Sequence, residues 1–310
     1  MRFTRVASAV LAIAGSIVLG GSPFAQGTSP DLGPRVKKLA DGVYVHTGKG
    51  FDSNSGIILT DEGVIVIDTG QNAIEARAIM DTVKKLTPMP VKFVIDTEPH
   101  NDHTTGHFVF PGAIVVAAAG AGESMRGAQA AAPNRIETLA ATSPEMKAAV
   151  AGYKFVPPHI EYRDKSTITL GGRTLELMYM KGVHSEADTA VWLPRERVVF
   201  STSAFVVDQV NILRPFVTIP DILAAGKMMK ALNPEHVVPG HGTPGTTKIF
   251  DDGEKYYALL TQRVDVLMKQ GKSLDDIKRE LKMPEYASWG SQDRMPTNVE
   301  AAYRALGGRI

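Results

Sequence analysis

The 310-residue chain contains no cysteine. A disulfide framework is thereby excluded, and any exported form must be stable through its core alone. A metal site in such a chain has to be built from imidazole and carboxylate groups, not thiolates. The chain also lacks an excess of charge: 34 Lys and Arg stand against 33 Asp and Glu. That near-neutrality leaves no electrostatic footprint for nucleic acid or an acidic lipid surface. There is no internal repeat, and no linker rich in Pro, Gly or Ser divides the chain. "GAGESMRG" lacks the Lys-Ser/Thr ending of a phosphate loop. Ser203 lacks the Gly-x-Ser-x-Gly elbow of a serine nucleophile.

Long apolar runs are scarce too. Arg2 and Arg5 precede "VASAVLAIAGSIVLGG", which falls short of the ~20 strongly apolar residues a membrane-spanning helix needs. "SPFAQ" follows and offers Ala25 as a cleavage point, so residues 1–25 read as a secretory signal peptide. Its removal takes away two Arg and no acid, so 34 − 2 = 32 bases face 33 acids and the mature net charge is −1. No Cys follows to carry a lipid anchor. The expectation is a periplasmic or secreted protein with no membrane anchor after cleavage. Residues 26–310 then form a single domain, with C-terminal helices over 254–310.

What is present is β-like in the first half. "GVYVHTG", "SGIILT" and "VIVID" read as strands, and "VKFVID" (91–96) as another buried one. Between them, "NAIEARAIMDTVKKL" (72–86) has helical periodicity. Residues 119–151 are Ala-rich and helical, broken at Pro133 and Pro144. Strands return with "STITL", "RTLELMYM", "TAVWLP" and "RVVFST". A helix follows over 221–231, then the short strand "HVVPG" and mostly helix to the end. Ser273 and Thr297 look like N-caps, the latter with Glu300 as a capping box. Strand blocks with helices between and after them imply an α/β (α+β) chain of two sheets covered by helices.

"VIDTEPHNDHTTGH" (94–107) concentrates the chemistry directly after a buried strand. Alternate positions Glu98, His100 and Asp102 can point one way off an extended segment, and His103 turns with the chain into the next helix. Four ligands from one segment are too many for one tetrahedral ion with an open position, so they point to two ions in a shared cleft. "KGVHSEAD" places His184 in a loop after a strand. "VVPGHGTPG" places His241 in a turn between Gly240 and Gly242. Both stand where α/β architectures build sites, beyond the C-terminal ends of strands.

"VIVIDTG", "EPHNDHTTGH", "GVHSEAD", "VFSTSAF" and "VVPGHG", in that order over about residues 36–250, resemble the motifs of the metallo-β-lactamase superfamily. The resemblance implies a four-layer αββα sandwich with two metals at one edge of the sheets. It places Glu98, His100 and His184 on the first metal, and Asp102, His103 and His241 on the second. Asp68 orients the site from behind. Two departures stand out: the family usually has His where Glu98 stands, and often a bridging Asp where this chain has Ser203. His107 stands where relatives often have Asn, and either backs the cluster or caps the helix. Two Zn²⁺ per chain are expected, with iron or manganese as alternatives at the Glu98 site.

The implied activity is an exported dinuclear zinc hydrolase. It would use a metal-bound hydroxide, with Asp102 orienting the nucleophile, to cleave a small ester, lactone or amide. The partner is a small-molecule substrate. One alternative is a true metallo-β-lactamase. However, the positions that carry a Lys or a Ser substrate anchor in its subclasses are Val206 and Phe205 here, and Arg214 is the remaining candidate anchor. A second alternative is a redox or metal-handling protein on the same fold. Phe51, Phe216 and Trp289 are candidate apolar walls of the substrate site.

Overall fold

Short apolar runs separated by tight turns build two sheets in the computed structural model, which describes residues 30–50 and 52–309. The expected signal peptide and Phe51 lie outside the described residues. Strands β1 (Val36–Ala40), β2 (Val43–His46), β3 (Ser55–Thr60), β4 (Gly63–Ile67), β5 (Val91–Ile95), β6 (Ile114–Ala118) and β7 (Ile160–Tyr162) pair in that order. The first four run antiparallel, and β4 to β7 are parallel. The second sheet holds β8 (Lys165–Leu170), β9 (Arg173–Met180), β10 (Asp188–Leu193), β11 (Val198–Phe200) and β12 (His236–Val238), with β11 and β12 parallel.

Period-two alternation along the strands fixes the layers. In β4, Ile65 and Ile67 face inward, where they meet Leu175, Leu177, Val191, Leu193 and Phe200 of the second sheet. Val64 and Val66 face the other way, against Ile79 and Val83 of helix α1 (Ala73–Leu86). The second sheet repeats the device: Met178, Met180, Ala190, Trp192, Val199 and Val237 turn outward, onto a helical layer that includes Ile222, Met229, Leu260 and Val299. The result is the helix–sheet–sheet–helix order expected from the sequence. The chain from Leu32 onward forms one compact unit. No helix among the described residues is long and apolar enough to cross a membrane.

Most of the remaining helices follow the expected boundaries. A single turn, α2 (Asn101–Thr104), carries the acidic–histidine segment. The Ala-rich region is three short helices, α3 (Ala121–Ala131), α4 (Arg135–Ala140) and α5 (Pro144–Ala149), the last capped by Ser143. The outer layer comprises α6 (Ile219–Ala231), α7 (Lys248–Lys269), α8 (Leu274–Glu280) and α9 (Met295–Ala305). Ser273 caps α8 in a reciprocal pair with Asp276. Thr297, by contrast, is no cap. It lies inside α9, where its hydroxyl donates to Arg294 O and accepts from Leu213 N. The capping-box spacing to Glu300 is present, but the helix begins two residues earlier, at Met295.

Candidate metal centre

Loops following β4, β5, β9, β11 and β12 converge at one edge of the two sheets. Asp68 closes β4 with a left-handed backbone, φ 54°, which a short polar side chain tolerates better than most. Its carboxylate binds the loop after β5 twice: Oδ1 accepts Thr97 N at 2.8 Å and Oδ2 accepts Thr97 Oγ1 at 2.6 Å. The same Oδ2 lies 2.9 Å from His103 Nδ1. That contact fixes the imidazole and turns Nε2 toward the cleft. Backbone bonds knit the loops together, with Thr69 N donating to His103 O and Thr189 N to Thr97 O, both at 2.7 Å.

Six of the candidate side chains meet in two groups of three. Glu98, His100 and His184 form one, and Asp102, His103 and His241 the other; within each, the ligand atoms lie within 4.8 Å of one another. His100 Nδ1 is 3.0 Å and His184 Nε2 3.7 Å from Glu98 Oε1. His241 Nε2 is 3.1 Å from Asp102 Oδ2. Asp188 holds the turn that carries His184, its carboxylate accepting the His184 and Ser185 N–H groups. Ser203, after β11, donates from its hydroxyl to Glu98 Oε1 at 3.0 Å and from its N–H to Oε2 at 3.2 Å.

His241 is held by residues far away in sequence. Its Nδ1 bonds Asp52 O at 3.1 Å. Asn54 clips the same turn, its Nδ2 donating to Pro239 O at 2.9 Å and Gly242 O at 2.8 Å, and its N–H to Gly240 O at 2.9 Å. Neither Asp52 nor Asn54 is distinguished by any motif, because main-chain contacts across 185 or more residues leave no spacing signal. His107 touches none of the six donors. It is buried against Asp96 Oδ1 and Val156 O, each at 2.8 Å, so its link to the cluster runs through the strand end and not through a ligand.

The electrostatics suit cations. Burial raises Glu98, but His103, His184 and His100 outweigh it and hold the carboxyl well below the glutamate range. Asp102, also raised by burial, is drawn down to about 2 by His103 and His241. Burial lowers His103, yet the carboxylates of Glu98, Asp68 and Asp102 lift it well above its ordinary value. In the metal-free chain a proton on His103 therefore sits where a cation would satisfy the same three carboxylates. Burial takes His184 down to about 3, leaving its imidazole neutral, with an Nε2 lone pair that Arg214 Nη1 meets at 3.2 Å in the metal-free chain. Its Nδ1 is buried with no partner among the described residues. Four imidazoles and two carboxylates without a thiolate match the donor set of zinc, and the cluster fits two divalent ions.

The two groups open on a cavity of about 270 Å³. Arg214, Arg294, Gln71, Gln209 and Asn211 line it beyond the cluster. Arg214 Nη1 lies 3.2 Å from both His184 O and His184 Nε2. The expected apolar walls are elsewhere: Phe216 is exposed, and Trp289 stacks on Tyr256 in the outer helical layer.

Comparison with known proteins follows the same lines. A family model described as "Metallo-beta-lactamase superfamily" matches residues 48–241, more than half of the chain. A linear primary-alkylsulfatase of a Pseudomonas species is 22% identical over 278 residues, 74% of this chain and 50% of that protein. The metallo-β-lactamase IND-1 of Chryseobacterium indologenes is 33% identical over 87 residues, 26% of this chain and 36% of the relative. The chain thus spans half or less of the length of these curated relatives. Among solved structures, a sec-alkylsulfatase from Pseudomonas sp. superimposes with TM-score 0.64 at 20% identity, over 89% of this chain and 50% of that one. A metallo-β-lactamase family protein from Thermus thermophilus gives 0.62 at 18%, over 87% and 95%. At these identities the structural likeness concerns the fold.

Two outcomes are expected. Asn54→Ala should weaken metal binding at the His241 group by roughly 10–100-fold, the usual cost of losing an outer hydrogen-bond partner, as read by metal titration. An unchanged affinity would remove Asn54 from the account. Second, the metal-free chain should lose stability as pH rises from 7 to 9. His103 and Asp188, the latter raised to about 8 by burial, both bind protons more tightly folded than unfolded. Their contribution is full below their ordinary values and is lost as pH climbs through the raised ones. Glu98 and Asp102, lowered on folding, contribute fully throughout this window. A thermal midpoint in chelator that is flat or rising over this range would contradict it.

Proposed function

The chain belongs to the metallo-β-lactamase superfamily, and from that premise we propose that it is a metal-dependent hydrolase that cleaves a small ester, lactone or amide. The observation that carries this reading is the pair of three-donor groups opening on one cavity. Glu98, His100 and His184 hold one divalent cation, Asp102, His103 and His241 the other, with zinc the metal best matched to the donors. When bound, the cations supply Lewis-acid activation of water and of the scissile bond.

The chain's own groups do the rest. Asp102 reaches the cavity ionised and orients the attacking water by accepting its hydrogen bond. Asp68 keeps His103 in the tautomer that turns Nε2 to the cleft. Gln71, Gln209 and Asn211 offer amide groups to a polar substrate. Arg214 and Arg294 add two guanidinium groups, while Asp102 is the one acid lining the cavity among the described residues. This balance favours a substrate with an anionic group. A sulfate ester is the second reading. The observation favouring it is that the alkylsulfatase relative aligns over 278 residues, against 87 and 101 for the β-lactamases. The amino-terminal pattern of residues 1–25 supports export.

Purified protein should carry two zinc ions per chain and hydrolyse a 4-nitrophenyl ester in a chelator-sensitive manner. His184→Ala and His241→Ala should each remove one ion and lower kcat/KM by at least about 100-fold, since losing a ligand exceeds the cost of losing an outer partner. Chelator-insensitive turnover would overturn the metal role. Turnover of 4-nitrophenyl sulfate alone would select the sulfatase reading, and efficient nitrocefin turnover the β-lactam one. Export predicts a mature amino terminus just after Ala25; an intact Met1 on protein from the expressing cell would contradict it.

A further inference from the structure

The position of Glu98 is odd for a ligand of one cation. Its Oε1 faces its own group, 3.0 Å from His100 Nδ1 and 3.7 Å from His184 Nε2. The same oxygen is 2.8 Å from His103 Nε2, a member of the other group. Asp102 behaves differently: its Oδ2 meets only imidazoles of its own group, His241 at 3.1 Å and His103 at 3.5 Å. One carboxylate thus lies between the two groups, and the other beside one of them.

Ser203 holds Glu98 in that place. Its hydroxyl donates to Oε1 and its N–H to Oε2, so both oxygens are gripped from one residue. The hydroxyl is also 3.1 Å from His103 Nε2. Room for this contact comes from Gly240, where a Cβ would fall 2.4 Å from Ser203 Oγ. Two of the positions at which the sequence departs from the common family pattern, 98 and 203, are therefore in direct contact. Where many relatives carry a bridging aspartate, this chain has a hydroxyl, and the hydroxyl is bonded to a carboxylate that arrives from across the cleft. Two cations in one cleft repel each other, and an anionic group between them offsets that repulsion.

We propose that Glu98 is shared by both cations as a bridging carboxylate, positioned by Ser203, so that the charge missing at 203 is supplied from 98. This rests on the two-cation reading. The substitution at 98 is then a relocation of the bridging charge, and no ligand has been lost from the first site.

Cobalt(II) titration of the metal-depleted full chain, followed by electron paramagnetic resonance, tests it. Wild type should bind two ions that are magnetically coupled. Glu98→Gln, which keeps shape and removes charge, should weaken both binding steps by tenfold or more and abolish the coupling. His184→Ala should weaken one step only. Glu98→His combined with Ser203→Asp should regain two ions and coupling. The proposal is overturned if Glu98→Gln and Glu98→Ala lose one ion while the other step keeps its affinity, or if the double variant is no better than Glu98→His alone. Wild type binding fewer than two ions would overturn the two-cation reading and the bridge with it, whereas two ions without coupling would overturn the bridge alone.

Discussion

Three carboxylates crowd one fully buried imidazole. Glu98, Asp68 and Asp102 surround His103, and each loses hydration by being there. Such a cluster is costly unless positive charge is brought into it. In the metal-free chain a proton on His103 supplies part of that charge, and the remaining excess of negative charge suits the cleft to a cation. The surrounding architecture exists to hold these groups at contact distance against their mutual repulsion. Asp68 is locked by two hydrogen bonds to Thr97, and Ser203 grips Glu98 at both oxygens. His184 and His241 sit in turns tied down by Asp188 and Asn54.

The sandwich fold makes this convergence geometrically natural. Each contributing loop follows a strand whose C-terminal end is buried, so the point from which the loop leaves is fixed by the packed core. The C-terminal segment adds a brace outside the part of the chain matched by the family model. Gly290 pairs with Asp208 and Val210, and Asn298 bonds Asn211 O, so the loop over residues 206–216 is held from the outer helical layer. Through Arg294 the same segment reaches the cavity. Residues Gly290, Arg294 and Asn298 of the C-terminal segment thus help shape the site.

Much of this was legible in the residues, and the limits have physical causes. Strand β4 announces itself by an apolar run between turn residues, β9 by alternation of apolar and polar residues, and α1 by its period. β1, β6 and β7 do not stand out: "VKKLA" and "IEY" are short and half polar, and "IVVAA" merges into the Ala-rich stretch that follows. The six cluster residues were readable because ligand chemistry restricts residue type and spacing. Asn54 and the carbonyl of Asp52 were not, since they act through contacts that only the tertiary fold creates. Trp289 shows the converse error. A large aromatic near the end of the chain looks like a pocket wall, yet here it stacks on Tyr256 and meets Tyr286 edge-on in the helical layer.

The central claim is that the cluster at the sheet edge holds two cations, divided between the Glu98 and Asp102 groups. Anomalous diffraction from crystals of the metal-loaded protein, collected at the zinc and iron edges, measures number, identity and position together. The account predicts two zinc peaks, one against Glu98, His100 and His184 and one against Asp102, His103 and His241. A single peak, or peaks away from these six side chains, would contradict it.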